Sequence, residues 1–77
     1  MTKLLPYNPV ISSFTYFNYQ LDVVFRKSKN QFQVRSYADV PIETVYKWYY
    51  IEDLKQSLSF YSTHIKKKFK VISVKID

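Results

Sequence analysis

The most distinctive chemistry in this sequence lies near the end of the chain, where basic residues surround apolar positions and no acid interrupts them. These basic residues are Lys66, Lys67, Lys68 and Lys70. A cluster of ammonium groups suits phosphate contacts, because each phosphate that a lysine neutralises releases a counterion. Lysines also suit the solvated end of a helix, where they complement the helix dipole. The sequence leaves both interpretations open, and we predict a surface here for nucleic acid or another acidic partner.

Enzymatic chemistry has little support in the residue types. The chain has no cysteine and one histidine, His64, which is therefore the only candidate base for a serine nucleophile. Ser62 lies two residues from His64 and cannot face it on a helix. The chain also has no glycine, which excludes glycine-rich phosphate loops. We predict a protein that is not an enzyme and that carries no metal and no cofactor.

The charge of the whole chain favours an anionic partner. Twelve basic residues against six acidic ones give a net charge of +6. Such a domain attracts nucleic acid, anionic lipid or an acidic protein. We predict that Arg26 and Arg35 join the lysines in these contacts. Trp48 and Tyr50 fall outside the main apolar stripe of their predicted helix, so we predict that they are exposed for base stacking or protein contact.

The length of 77 residues predicts a single domain with a thin core. Eight tyrosines, six phenylalanines and one tryptophan must supply most of its packing, since no cysteine is present for disulfides. The N-terminal residues do not resemble a signal peptide, and no apolar run approaches the ~20 residues of a membrane span. We therefore expect a cytoplasmic protein that does not enter the membrane.

The residue pattern predicts an α+β fold that begins with antiparallel strands across residues 10–37. Residues 1–9 contain two prolines and are expected to form an extended arm before a single domain spanning 10–77. Residues 20–27 and 31–37 alternate apolar and polar positions, which predicts a β-hairpin. Asn30 in its turn is expected to take a positive φ angle.

Two short helices and a last strand are predicted after the hairpin, at about residues 41–52, 59–70 and 71–76. Pro41 suits the start of the first helix, and Ser57 or Ser59 suits the cap of the second. The predicted core stripe of the first helix is Ile42, Val45, Tyr46 and Tyr49. The predicted core positions of the second helix are Tyr61, Ile65 and Phe69.

Several short motifs resemble those of the KTSC domain, a small module found at the C-terminus of some lysyl-tRNA synthetases and as free-standing bacterial and phage proteins. In order, they are Ser12-Ser13, L-x-V-x-F at 21–25, F-Q-V at 32–34, V-P at 40–41, Tyr46, F-Y at 60–61, Ile65-Lys66 and Phe69. The association with a tRNA synthetase implies RNA binding. The chain departs from the family at Phe32-Gln33-Val34, where the family has Tyr-x-Tyr, and at Ser62, where the family has asparagine.

Two functions are consistent with these residue patterns. The first is a small binding module that contacts nucleic acid, RNA above all, through its lysine-rich helix. The second is a protein encoded by a phage or mobile element that docks on a host protein or complex and inhibits or modulates it. The sequence does not choose an oligomeric state.

Overall fold

A five-stranded antiparallel sheet with helices on one face forms the architecture of the chain, which confirms the predicted α+β class. The computed structural model describes residues 1–76, so the last residue of the predicted domain, Asp77, lies outside the described residues. The strands are β1 (Thr2–Leu4), β2 (Ile11–Phe17), β3 (Gln20–Ser28), β4 (Gln31–Tyr37) and β5 (Val71–Ile76), side by side in this order. The helices are α1 (Ile42–Tyr49) and α2 (Leu54–Phe60), and α2 continues into a π-helical segment, Tyr61–Lys66.

The N-terminal arm is part of the sheet. Its residues Thr2–Leu4 form β1 and pair with β2, with Thr2 opposite Thr15. After β1 the Asn8 side chain accepts hydrogen bonds from the backbone N–H groups of Val10 at 2.8 Å and Ile11 at 2.9 Å. Three residues are too few to show strand alternation in the sequence, so this pairing was not predicted.

The turn between β2 and β3 contains two consecutive residues with positive φ angles. Asn18 has φ 53° and Tyr19 has φ 66°, which is the geometry of a two-residue type I′ turn. The prediction of a positive φ at Asn30 is wrong, because Asn30 is not among the residues with positive φ. The β3–β4 hairpin contains a register shift between Arg26 and Ser28, and its turn forms without a left-handed residue.

The core lies between the sheet and the helices. In β3 the alternate residues Leu21, Val23 and Phe25 are buried, as their period of two predicts. Tyr61 packs against this layer, and its hydroxyl forms a 2.5 Å hydrogen bond with that of Tyr37. Burial, followed by the hydrogen bond with Tyr37, raises the pKa of Tyr61. The Tyr61 ring therefore serves packing, and its hydroxyl is satisfied by a buried partner.

Helix α1 is rotated about its axis relative to the predicted stripe. Val45 and Trp48 are fully buried, whereas Ile42 is 39% exposed and Tyr46 is 46% exposed. Tyr49 is half-buried against the core. The large indole is the side chain with the most apolar area to bury, so its position decides which face of α1 meets the sheet.

Helix α2 begins five residues earlier than predicted. Asp53 is its N-cap, and the Asp53 carboxylate accepts the backbone N–H of Gln56 at 2.9 Å. The predicted cap Ser57 instead lies buried inside the helix. Tyr61 and Ile65 are buried and Phe69 is half-buried against the core, as predicted for the second helix.

Replacing Tyr19 with glycine is expected to stabilise the fold. A residue with a Cβ atom pays about 1–2 kcal/mol to adopt a left-handed conformation. Glycine avoids this steric cost but loses more chain entropy on folding, so only part of the difference appears as added stability. We expect Tyr19→Gly to raise the free energy of unfolding by about 0.5–1 kcal/mol in urea denaturation. The matched control is Gln20→Gly, which adds glycine to a strand residue and should lower stability by a similar amount. A loss of stability in Tyr19→Gly would contradict the type I′ turn.

Candidate nucleic-acid interface

The four clustered lysines are all exposed to solvent. These residues are Lys66, Lys67, Lys68 and Lys70. Among residues 1–76 the one ion pair joins Lys3 to Glu52 at 3.6 Å. The ammonium groups of the cluster are therefore not neutralised by a carboxylate of the described chain, and they remain available to an anion.

A groove between α1 and the π-helical segment gathers further polar groups around Lys68. The lining residues are Thr44, Lys47, Phe60, His64 and Lys68, and the cavity measures about 300 Å³. We call these five residues the cationic groove. Two lysines, a hydroxyl and an imidazole line one concavity, and each can donate a hydrogen bond to a phosphate oxygen.

The π-helical segment contributes His64 to this groove. Its wider turns change which side chains share a face, and such segments occur frequently at functional sites. The His64 ring lies 4.7 Å from the ring of Phe60, and the two side chains also line a neighbouring groove with Lys55. The aromatic pair is therefore flanked by lysines from three parts of the helical layer: Lys47, Lys55 and Lys68.

Tyr50 is an exposed aromatic ring at the C-terminal end of α1. It is 72% exposed and follows Lys47 by three residues at the end of α1, which places the two on neighbouring helical positions. The Tyr46 ring lies 6.4 Å from that of Tyr50, at an interplanar angle of 27°. This arrangement offers an exposed aromatic surface three residues from Lys47, and base stacking uses such a ring close to a basic side chain.

The prediction that Trp48 is an exposed contact residue is wrong. Trp48 has 0% exposure, and its ring stacks on Phe14 at 4.0 Å with an interplanar angle of 10°. Its indole N–H donates to Ser57, with 2.9 Å to Oγ and 3.1 Å to the backbone oxygen. A ring with both faces and its one donor engaged in the core has no atom left for a partner.

The two predicted arginines lie on opposite faces of the sheet. Arg35 pairs with Val23 on the helix-covered face, where its guanidinium lies 5.5 Å from the centre of the Phe25 ring. Arg26 lies on the other face and donates to the backbone oxygens of Asn8 at 3.1 Å and Leu5 at 3.2 Å. Both are half-buried and make contacts that stabilise the fold, so they do not extend the lysine cluster into one patch.

The tip of the β3–β4 hairpin lies at the far end of the sheet from the lysine cluster. The Lys70 carbonyl accepts the backbone N–H of Ala38, just after β4 ends, whereas Lys29 precedes the start of β4. Seven residues of strand separate these points, roughly 20 Å. Lys27 and Lys29 at this tip are thus remote from Lys70.

Sequence reasoning missed Thr44, Lys47 and Phe60 as site residues and gave His64 no specific role. The first three lie at ordinary α-helical positions, and only the packing of α1 beside the π-helical segment brings them together with His64. The spacing of Lys47 and Tyr50 on one helix was the single signal in the sequence that could have indicated part of this surface.

The chain matches no family model, no curated protein and no solved structure. Within residues 1–76 no helix is long and apolar enough to cross a membrane. The described side chains also include no group of three metal-binding residues close enough to hold an ion.

Replacing Trp48 with alanine is expected to destabilise the fold strongly. Loss of the buried ring leaves a cavity and removes the hydrogen bonds to Ser57, at a cost of about 3–5 kcal/mol. A chain of this length has a total stability of only about 4–12 kcal/mol. Tyr50→Ala is the matched control and should change stability by less than about 0.5 kcal/mol. Urea denaturation followed by circular dichroism compares the two, and equal effects would contradict the buried position of Trp48.

Proposed function

We propose that this protein is a small, non-enzymatic RNA-binding module of the cytoplasm that holds phosphates in the cationic groove and on the adjacent lysines. The observation that carries the proposal is the convergence of Lys47 and Lys68 on one concavity without a carboxylate partner in the described chain. The motifs that resemble the KTSC domain support RNA through that family's association with a tRNA synthetase.

Single-stranded RNA suits this surface better than a duplex. Tyr50, three residues after Lys47, presents an exposed ring on which an unpaired base can stack. Lysines provide charge without base-specific geometry, because a flexible ammonium group contacts phosphate as a point charge. The expected binding is therefore tolerant of sequence and strongly dependent on salt.

RNA binding is tested by fluorescence anisotropy titrations across a series of KCl concentrations. The probe is a fluorescein-labelled oligouridylate of about 12 nucleotides, a length within the usual site size for single strands. Three to four phosphate contacts predict a log–log slope of about −2 to −3 for a single strand. Lys47→Glu with Lys68→Glu should weaken binding by about tenfold or more and make the slope shallower by about 1.4. Affinity that does not change with salt, or no binding at low salt, would overturn the proposal.

The matched control for this test is Lys27→Glu with Lys29→Glu. It changes the net charge by the same amount, at the far hairpin tip, and should weaken binding by less than about threefold. Equal losses in the two double variants would show attraction to the overall charge without a site. The corresponding oligodeoxythymidylate, run in parallel, tests whether RNA is preferred to DNA.

Docking on a host protein is a second candidate, and the exposed aromatic rings of α1 favour it. Tyr46, Tyr50 and Ile42 leave apolar area uncovered on one helix, and exposed tyrosines are frequent in protein-binding hot spots. Tyr50→Ala separates the two functions. A stacked base predicts a loss of about 1 kcal/mol or more in RNA affinity, whereas a protein-binding role leaves RNA affinity unchanged.

A further inference from the structure

The outer edge of β5 is an open strand edge. β5 pairs with β4 on one side, and no strand of the described chain lies on the other. An open edge presents unpaired N–H and C=O groups that can bind a further strand. The opposite edge of the sheet, β1, is only three residues long and is followed within two residues by Pro6, whereas β5 has six residues and no proline.

The two faces of β5 differ in character. Val74 pairs with Arg35 and Ile76 with Gln33, which places both apolar residues on the helix-covered face of the sheet. They are 51% and 62% exposed, because the helices do not cover this end of the layer. Lys75 belongs to the opposite face, together with Ser73. The outermost strand therefore presents two exposed apolar residues on one face and a lysine on the other.

We propose that the β5 edge binds an extended, acidic segment of another protein, which adds to the sheet as a sixth strand. The segment places apolar side chains beside Val74 and Ile76 and carboxylates beside Lys75. Backbone hydrogen bonds supply the attraction common to all added strands, and alternate side chains supply the choice of partner. Opposite charges on directly facing residues favour pairing, and like charges oppose it.

A second copy of the chain fits this edge less well than an acidic segment. β5 contains no acidic residue, so a β5–β5 pair offers no carboxylate to Lys75. Two copies also bring together two molecules of net charge +6, which repel each other. Charge complementarity thus selects an acidic strand over self-pairing.

The probes for this edge are two labelled seven-residue peptides, TVEVEVT and TVKVKVT, titrated against the full chain by fluorescence anisotropy. Both have the same apolar face, and they differ only in the charge on the other face. We expect the glutamate peptide to bind about tenfold more tightly than the lysine peptide. Its binding should slow amide hydrogen exchange in β5, because the outward N–H groups gain partners.

Reversing the charge of the edge should reverse the preference. Lys75→Glu is expected to bind TVKVKVT more tightly than TVEVEVT, and this exposed substitution leaves the strand backbone intact. Lys55→Glu makes the same charge change on α2 and should keep the preference for the glutamate peptide. Lys47→Glu with Lys68→Glu should also keep it, so failure of RNA binding and failure of this inference are separate outcomes.

Four results would overturn the inference. The first is that neither peptide binds. The second is that both peptides bind equally, which indicates apolar adhesion without charge recognition. Slowed exchange in regions other than β5 assigns the peptide to another surface. A dimer in sedimentation equilibrium whose β5 amides are protected without peptide assigns the edge to a second copy.

Discussion

The arrangement of the helical layer depends on the buried indole of Trp48. Its ring stacks on Phe14 of β2, and its N–H donates to Ser57 of α2, so one side chain of α1 connects the sheet with the second helix. The same ring lies 5.7 Å from that of Tyr61, the first residue of the π-helical segment. A chain without disulfides has few other means of fixing two short helices. Trp48, which is fully buried, thus contacts both of the other helical segments that contribute residues to the cationic groove.

The freedom of the clustered lysines is a consequence of where the acidic residues are placed. Asp53 caps α2, Glu52 pairs with Lys3, and Asp22 accepts a hydrogen bond from Gln20 at 2.9 Å. Lys3 also donates to the backbone oxygens of Tyr49 and Ile51, the latter at 3.4 Å, at the end of α1, where the helix dipole favours a cation. These three acids therefore serve a helix cap and local contacts away from the clustered lysines. This separation of basic from acidic residues, more than the number of lysines, concentrates positive potential at the lysine cluster.

The strands could be predicted from the sequence, whereas much of the site could not. Alternation of apolar and polar residues predicted β3, β4 and β5 within a residue or two. In β3 this alternation follows burial, because one face of the strand packs against the core. The face of α1 was predicted incorrectly, since several overlapping apolar stripes exist on this helix and only packing on β2 selects the one that contains Trp48. The left-handed turn was assigned to Asn30 on residue type, yet the tighter β2–β3 connection places it at Asn18 and Tyr19. The groove depends on contacts between residues about twenty positions apart, which no local pattern encodes.

The lysine cluster and the open edge of β5 are adjacent in the chain. They meet at Lys70, whose backbone is hydrogen-bonded to the residue that follows β4. The Lys70 carbonyl accepts the N–H of Ala38 at 3.3 Å, and β5 begins at the next residue. A strand added to β5 would raise the local stability of that strand and so reduce the freedom of the lysines immediately before it. A polyanion held on those lysines would in turn restrict the start of β5. Any such coupling must be reciprocal, because the effect of one ligand on the affinity of the other is the same in both directions. With the other clustered lysines on one side of Lys70 and the open edge of β5 on the other, the fold places two chemically different surfaces within a few residues of each other.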